Sequence, residues 1–564
     1  MDNYLLSFSP LDKESTVSLL RDEEIIGICS EEHFSRVKQQ SGFPRQALEY
    51  LLRRHSVKPS DIVSVTYPFF DWLMETKLMV EPLPNDIFRT LVCGLPWKYR
   101  VLHLLALTRG TYKGISSHYK FQKELLRGLE EYELSGKLVR VHHHLAHAAS
   151  AYYTAGWDET LIVTIDAYGS GCSGIVAVGR PTGIEILDKV SHINSLGTYY
   201  SKITRAFGYT PDRHEGKILG LAAYGKEIKE IKEYISGRFR EKGNSFEYLL
   251  SHSGDFFVSD LLKQYTKQDV AFAWQSTLED IVTRYIRKWI KVAKVDRIAL
   301  AGGVTANVKL NQRIAELPEV REVFVHPGMT DLGTALGSGL YVLSQTKKLR
   351  PRQLSNVYFG PNFSDEEIIH SLTNEQLSFE KCHGTIEFRV AQLLADKKIV
   401  GRFNGSMEYG PRALGNRSIL YHLGDRSVNE WLNRKLRRTE TMPFAPATLA
   451  EDATKCYKNF EIGKYTSAFM TITFDCTNWM KEHCPAAVHV DGTARPQIVD
   501  KNSNLSFFQI LREYKRLTGI SSVLNTSFNL HEEPIVCSPD DAIRAYKESG
   551  LDCLAIGDFL VKKD

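Results

Sequence analysis

The chain opens on short apolar runs divided by polar breaks. Tyr4–Phe8, Thr16–Leu20 and Ile25–Cys29 are the runs, with Ser9–Glu14 and Arg21–Glu24 between them. That pattern predicts strand, loop, strand, turn, strand. Pro44–His55 then sets Ala47, Leu48, Leu51 and Leu52 on one helical face, and Ile62–Tyr67 reads as another strand. The same order returns further on. Leu161–Thr164, Ile175–Val178 and Ile184–Val190 predict strands, with the polar stretch Asp166–Gly174 after the first and the turn Arg180–Gly183 after the second. Between the two copies, residues 71–134 predict a helical insertion, with runs at Tyr99–Leu107 and Tyr119–Leu134. Gln275–Val292 predicts a long amphipathic helix, Arg297–Leu300 and Val323–Val325 strands, and Ala335–Leu343 a helix.

A duplicated strand–loop–strand–turn–strand unit is what the actin-like sugar-kinase and Hsp70 ATPase architecture is built from, although the motif also occurs in other folds. Thr346–Ser355, TKKLRPRQLS, is basic and Pro-interrupted and reads as a link to a second domain. The expected division is a first domain at 1–345, a linker at 346–356 and a second domain at 357–564. Each is long enough to bury its own core.

Composition adds little chemistry. With 71 Lys+Arg against 67 Asp+Glu, the formal net charge is +4. Bulk charge therefore gives no reason to expect nucleic acid or membrane as a partner. No apolar run is long enough to span a bilayer, and no secretory signal is visible in the first residues, so a cytoplasmic location is expected. Nine cysteines without a CxxC pair fit reduced thiols.

Candidate chemistry begins at Val141–Ser150, VHHHLAHAAS. His143 and His147 are four apart, a spacing that puts both imidazoles on one helical face within reach of one metal ion. Histidines that merely cap a helix fit the same letters. Ala301–Asn307, AGGVTAN, runs a strand into paired glycines and a helix start, which suits close approach of backbone to a ligand or simply a tight turn. In the second domain, GRFNGSMEYGPRALGNRS (Gly401–Ser418), LNRKLRRTETMPFAPAT (Leu432–Thr448), DGTARPQ (Asp491–Gln497) and LNTSFNLHEEPIV (Leu524–Val536) set arginines among glycines, the usual way to grip phosphate or carboxylate oxygens.

HHLAHAASAYY, VTIDAYGSG, EGKILGLAAYG, AGGVTANVKLN, HPGMTDLGTALGSGL, GSMEYGPRALGNRSIL, PFAPATL, DGTARPQ and LNTSFNLHEEPIV, in that order, resemble the O-carbamoyltransferase family of antibiotic and nodulation-factor biosynthesis, which includes the tobramycin and cephamycin enzymes. The resemblance runs from near residue 15 to the end. It implies an α/β protein with a duplicated actin-like, threonylcarbamoyltransferase-like N-terminal domain and a YrdC-like C-terminal domain. It further implies that MgATP and carbamoyl phosphate give carbamoyl adenylate in the second domain, with loss of pyrophosphate and phosphate. The carbamoyl group then passes in the first domain to a hydroxyl, or an amine, of a small natural-product acceptor, and AMP leaves.

Carried over by residue, the resemblance makes His143, His147, Asp166 and Asp331 the ligands of a divalent ion, Fe2+ in this class. Gly169, Gly171, Lys217, Gly302, Gly303 and Asn307 fall on the nucleotide side of the first domain. Arg495 matches a position tied to carbamoyl phosphate. Arg412, Arg417 and Ser418 match the second domain's nucleotide loop, with Arg437 and His531 as looser matches. The family's first loop reads His-Asp where this chain has Lys13 and Glu14, so Glu14, His144 or His33 is expected to replace that histidine as base, and Lys13 to contact a phosphate or an acidic acceptor. Two other readings are a threonylcarbamoyl-type transferase acting on tRNA, disfavoured by the absence of a basic stripe in the sequence as read, and a regulatory ATPase without transfer activity. Whether the chain forms a homodimer is left open.

Overall fold

The computed structural model describes residues 3–436 and 444–563. The chain is mixed α/β. The opening runs form β1 (Tyr4–Phe8), β2 (Thr16–Arg21) and β3 (Glu24–Ser30), followed by two helices, α1 (Glu31–Ser35) and α2 (Arg45–Arg54), and then β4 (Ile62–Tyr67). The 71–134 stretch is helical: α3 (Trp72–Val80), α4 (Leu83–Val92) and the 34-residue α5 (Trp97–Glu130). β5 (Leu138–Arg140) and α6 (His143–Ala155) close the first half.

The second half repeats the plan. β6 (Thr160–Gly169), β7 (Cys172–Arg180) and β8 (Gly183–Ser191) come first. Helices α7 (Leu196–Ala206), α8 (Glu215–Ala222) and α9 (Lys229–Ser236), the small hairpin of β9 (Phe239–Lys242) and β10 (Ser245–Tyr248), and helices α10 (Gly254–Leu261) and α11 (Lys267–Ala293) follow. β11 (Arg297–Ala301), α12 (Val308–Ala315), β12 (Glu322–Val325) and α13 (Leu332–Thr346) complete it.

The sheet orders are β3-β2-β1-β4-β5 and β8-β7-β6-β11-β12. In each, the first strand of the half pairs antiparallel with the second and parallel with the fourth, and the fourth pairs parallel with the fifth. The duplication read from the apolar pattern is thus a duplication of topology. α13 packs on α6 through small residues. A Cβ on Gly337 would run into the Ala146 carbonyl and the Ser150 side chain, so the two helices meet nearly backbone to backbone.

Several boundaries differ from the expectation. Tyr99–Leu107 and Tyr119–Leu134 are parts of one helix that runs on through Gly110 and Gly114 and stops at Glu130. Helix propensity is a weak prior, and glycines where an inner face is crowded are tolerated: a Cβ on Gly114 would meet Met79. Asp166–Gly174 is no open loop but the tip of the β6–β7 hairpin, whose register shifts between Ile165 and Gly169.

By packing, the chain divides into two compact units. Unit 1 comprises Met1–Glu24, Ser41–Phe43 and Val57–Gln353; unit 2 comprises Ile25–Gln40, Pro44–Ser56 and Leu354–Asp564. This departs from a linear division at 346–356, because an N-terminal segment belongs with unit 2. Arg36 shows why: its guanidinium donates to the Pro534 and Ile535 carbonyls, 2.8 Å each, and its Nε lies 3.1 Å from Asp541. Unit 2 is built on an eight-stranded sheet. Its strands are β13 (Glu380–Lys381), β14 (Val400–Phe403), β15 (Arg417–Tyr421), β16 (Ala445–Leu449), β19 (Gln497–Val499), β20 (Ser522–Ser527), β21 (Cys553–Ile556) and β22 (Phe559–Lys562), beside a small pair of β17 (Phe474–Asp475) and β18 (Thr493–Ala494). The large sheet runs β13-β22-β21-β14-β15-β20-β16-β19. Val390, Leu394, Phe507, Ile510 and Leu511, from two helices, pack with Val400, Leu420 and Val523 in its core. Among the described residues no helix is long and apolar enough to cross a membrane.

Candidate metal centre

His143 opens α6, and His142 caps it by accepting from the His144 backbone N–H through its ring nitrogen at 3.2 Å. One turn on, His147 brings its Nε2 to 3.1 Å from the His143 Nε2. Asp331 stands at the N-cap of α13, yet its carboxylate makes no cap bond and faces the two histidines instead. Its Oδ1 lies 3.3 Å from the His143 Nε2 and 3.4 Å from the His147 Nε2. Asp166 arrives from β6, with its Oδ2 3.3 Å from the His147 Nε2. The four side chains are buried, and one donor atom from each lies within 4.8 Å of all the others.

The donors fit a divalent ion. Ligand atoms about 2.1 Å from a common centre stand about 3.0–3.4 Å apart, as four of the six donor pairs here do. The Asp331 Oδ1 is buried without a hydrogen-bond partner, which an ion would supply. Two imidazoles with two carboxylates suit a first-row divalent metal.

Packing around the ligands holds them. Gly169 lies against the His143 ring, where any Cβ would collide with it. The Ser170 hydroxyl accepts from the His143 N–H at 3.2 Å and donates to Glu75 at 2.9 Å. Glu75, a fully buried acid on α3, also accepts from the Tyr168 hydroxyl at 3.0 Å. Asp166 accepts from the Gly303 N–H at 2.8 Å and from the Ala167 N–H at 2.6 Å. Burial pushes both aspartates up. For Asp331, Lys13 and the two imidazoles outweigh it and hold the carboxyl well below its ordinary range. For Asp166, a neighbouring carboxylate adds to the push, but His147 and Lys13 bring it to about 2.

A cavity of 310 Å³ adjoins the centre. Asp166 and Asp331 form part of its wall, with Asp12, Lys13 and Tyr168 beside them, and the inner face of α5 closes the other side with Gly110, Ser117, His118 and Gln122. The Lys13 Nζ is 3.7 Å from the Asp331 Oδ2.

Other expected site residues are placed differently. Glu14 is not on the cavity wall; its carboxylate accepts from the Thr330 hydroxyl at 2.8 Å and steadies the corner before Asp331. The carboxylate of that loop that does line the cavity is Asp12, which carries no motif in the sequence. His144 is wholly buried, with Nδ1 2.9 Å from the Thr164 hydroxyl and Nε2 3.2 Å from the Cys172 carbonyl. With both ring nitrogens committed, it is a packing residue and not an exposed base. His33 lies in the segment assigned to unit 2. The close approaches of the glycines are to protein: Gly302 to the Ile165 backbone, and Gly171, with φ +79°, to Leu78. Asn307 caps α12 by accepting from the Leu310 N–H and donates to Gln275 at 2.8 Å. Lys217 sits on α8 with its ammonium 5.5 Å from the centre of the Tyr209 ring.

In unit 2 two corrections stand out. Arg417 is wholly buried. Its guanidinium donates to the carbonyls of Asn404, Asn416, Pro361 and Gly405 and stacks 3.7 Å from the Phe403 ring centre. The Ser418 hydroxyl accepts from the Gly415 N–H at 2.9 Å. Both residues shape the loop, with only the Arg417 Nε left without a hydrogen-bond partner among the described residues. Glu408 does the same work: one carboxylate oxygen accepts from the N–H groups of Leu414, Asn416 and Arg417 at 2.7–3.0 Å. Arg412 and Arg495 differ. Burial and the Arg412 charge push Arg495 well below its ordinary range, and burial brings Arg412 to about 10. The Arg412 Nε is buried without a hydrogen-bond partner among the described residues. Both are half-buried, with the Arg412 charge near enough to act on Arg495, and neighbouring cations of this kind suit an anion. His531 lies 3.5 Å from Glu532. Arg437 lies outside the described residues.

Comparison with known proteins covers both units. The carbamoyltransferase N-terminus family model matches residues 9–340 and the carbamoyltransferase C-terminus model residues 391–563. Nodulation protein NolNO of Sinorhizobium fredii is 31% identical over 97% of this chain and 78% of its own length. A protein of Methanocaldococcus jannaschii is 31% identical over 97% of both chains. Among solved structures, component A of the Acidaminococcus fermentans (R)-2-hydroxyglutaryl-CoA dehydratase aligns with a TM-score of 0.33 at 15% identity, over 61% of this chain and 98% of that one. With both family models matched in order and a relative aligned nearly end to end, the chain belongs to the carbamoyltransferase family and is a carbamoyltransferase.

Proposed function

We propose that the chain is an ATP-dependent O-carbamoyltransferase acting in two steps, with unit 2 as a YrdC-like adenylate-forming fold and unit 1 as an actin-like transfer fold. In the first step carbamoyl phosphate loses its phosphate to water. The carbamate oxygen then attacks the α-phosphorus of MgATP, giving carbamoyl adenylate and pyrophosphate. In the second step an acceptor hydroxyl, or an amine, attacks the carbamoyl carbon, its proton passes to a base, the bond to the adenylate oxygen breaks and AMP leaves. The observation that carries this reading is the family match on both units together with four converging donors in the wall of a cavity of small-ligand size.

His143, His147, Asp166 and Asp331 would hold the divalent ion, Fe2+ by family resemblance, which when bound supplies positive charge opposite the adenylate phosphate. Lys13 adds a fixed cation on the same wall. Asp12, on the cavity side of the first loop, is the carboxylate placed to take the acceptor proton. In unit 2, Arg412 and Arg495 would grip carbamoyl phosphate.

The test is to incubate the protein with ATP and carbamoyl phosphate and to measure AMP and pyrophosphate. Both should form only when carbamoyl phosphate is present; their absence would favour a regulatory ATPase. Arg495→Ala should slow carbamoyl-phosphate-dependent pyrophosphate release by about 10²–10³-fold, the usual cost of one preorganised charge-stabilising donor. Normal pyrophosphate release by that variant would remove the assigned role.

A further inference from the structure

The 34-residue helix α5 has two working faces. One, through Leu107, Gly110, Gly114, Ser117, His118 and Phe121, lines the cavity. At 100° per residue the opposite face carries Leu105, Arg109, Tyr112, Ser116, Tyr119, Lys123 and Arg127, spaced three and four apart. All seven are exposed, Leu105 by 64% and Tyr112 by 74%. Lys98, Lys113 and Lys120 flank the stripe and are exposed as well.

The rest of the insertion also exposes more apolar surface than solvation needs. Trp97 is 65% exposed at the start of α5, and Phe88 is 68% exposed on α4, with Ile87, Leu91 and Val92 around it. Leu73, Met74 and Val80 are exposed on α3. Large apolar exposure concentrated in one segment marks an interaction surface.

Charge names the partner. α5 holds seven Lys and Arg residues against Glu124 and Glu130, an excess larger than the +4 net charge of the whole chain. Of the four acids elsewhere in the insertion, Glu75 and Asp86 are buried and Asp71 and Glu81 are exposed, which still leaves nine Lys and Arg against six acids over residues 71–130. Basic residues interleaved with Trp, Tyr, Phe, Leu, Ile and Val, along a helix too polar to span a bilayer, are the chemistry of an interfacial helix on an anionic lipid surface. Nucleic acid would use the cations and the aromatic rings but has no use for Leu73, Val80, Ile87, Leu91, Val92 and Leu105.

We propose that the α3–α5 insertion is a peripheral docking surface for anionic phospholipid bilayers. The cavity then lies about one helix diameter, roughly 10 Å, from the lipid surface. Its acceptor would be an amphiphile held at that interface, a corollary that rests on the transfer reading; docking itself does not.

The test is co-sedimentation of the full chain with vesicles. It should bind an equal mixture of phosphatidylcholine and phosphatidylglycerol, release as salt rises, and stay in solution with phosphatidylcholine alone. Leu105→Ser with Tyr112→Ser, and separately Lys113→Glu with Lys120→Glu and Lys123→Glu, should each weaken binding by more than about ten-fold while the unfolding temperature stays unchanged. Three results would overturn the proposal. The wild-type chain could remain in solution with every vesicle. The stripe variants could convert a dimer to a monomer with vesicle binding unaltered, making a second copy the occupant. Stripe-dependent binding could extend to a single-stranded oligonucleotide but not to vesicles, making the occupant nucleic acid. The assay reads binding alone, so its failure would leave carbamoyl transfer untouched, and failure of the AMP assay would leave docking untouched.

Discussion

The two copies of the repeated strand plan share a strand order and differ in the charge they bring to one point. Each half ends in a helix that follows its fifth strand, α6 and α13, and both helices deliver metal-ligand candidates from their N-terminal ends: His143 and His147 in the first two turns of one, Asp331 at the N-cap of the other. The first hairpins differ. Where the second half supplies the Asp166 carboxylate, the first supplies the Lys13 ammonium, 3.7 Å from Asp331. A repeated fold has thus become an asymmetric site in which one half completes a donor set and the other sets a cation against it. Duplicated topology supplies position, and single side chains decide chemistry.

The largest effect should come from removing the second half's helix-borne donor. Asp331→Ala is expected to reduce transfer by more than about 100-fold, beyond the loss of an outer-sphere metal partner, while leaving carbamoyl-phosphate-dependent pyrophosphate release intact. Loss of both in a folded variant would contradict the division between units. Next comes the contact that joins the halves. Gly337→Val forces α13 off α6 and should cost about 1–3 kcal/mol of stability by denaturant titration, with weaker metal binding. Unchanged stability would mean the helices have room that their packing denies.

The first half's cation gives a smaller change of opposite sign. Lys13→Met should tighten divalent-ion binding by about ten-fold, near 1.4 kcal/mol, measured by competition with a chelating dye. Weaker binding in that variant would mean that Lys13 supports the donors and does not oppose the ion.

The smallest effect concerns matching histidines that follow the third strand of each half, His33 and His192. Burial brings His33 to about 3, with Arg36 and Arg417 adding to it, and brings His192 to about 4. Both fold as neutral rings, and the unfolded chain binds their protons near the ordinary value of about 6.5. Their contribution is therefore complete above that value and is lost as pH falls toward 4 and 3. Between pH 7 and pH 6 each should cost about 0.7 kcal/mol. Unfolding temperature should drop over that step, less so in a His192→Gln variant; an equal drop would assign the proton uptake elsewhere.

Much of this was legible in the letters. Apolar runs gave the repeated strands because β1, β2, β6 and β7, buried at nearly every position, read as near-continuous apolar stretches. The His143–His147 spacing gave a helical pair, and the motif order gave Asp166 and Asp331. What failed to read has physical reasons. Arg417 and Ser418 sit among glycines like phosphate ligands, but only the fold reveals that four carbonyls already occupy the arginine. His144 looks spare beside two ligands until Thr164 and Cys172 close on it. Asp12 has no sequence feature that separates it from a solvated loop acid; only the fold sets it on the cavity wall. The basic stripe was invisible in a net charge of +4, since a sum over 564 residues hides an excess confined to one helix face.

The near-contact of α6 and α13 has a further consequence, for ion size. Because the Gly337 position leaves no slack between the two backbones, the donors cannot spread. A calcium ion, which takes six to eight oxygens at about 2.3–2.6 Å, would demand a wider cage and more ligands than these four side chains offer. The smallest residue in the helix interface thus acts as a calliper. A donor set held to that size would favour ions of first-row transition-metal radius over the larger, harder calcium.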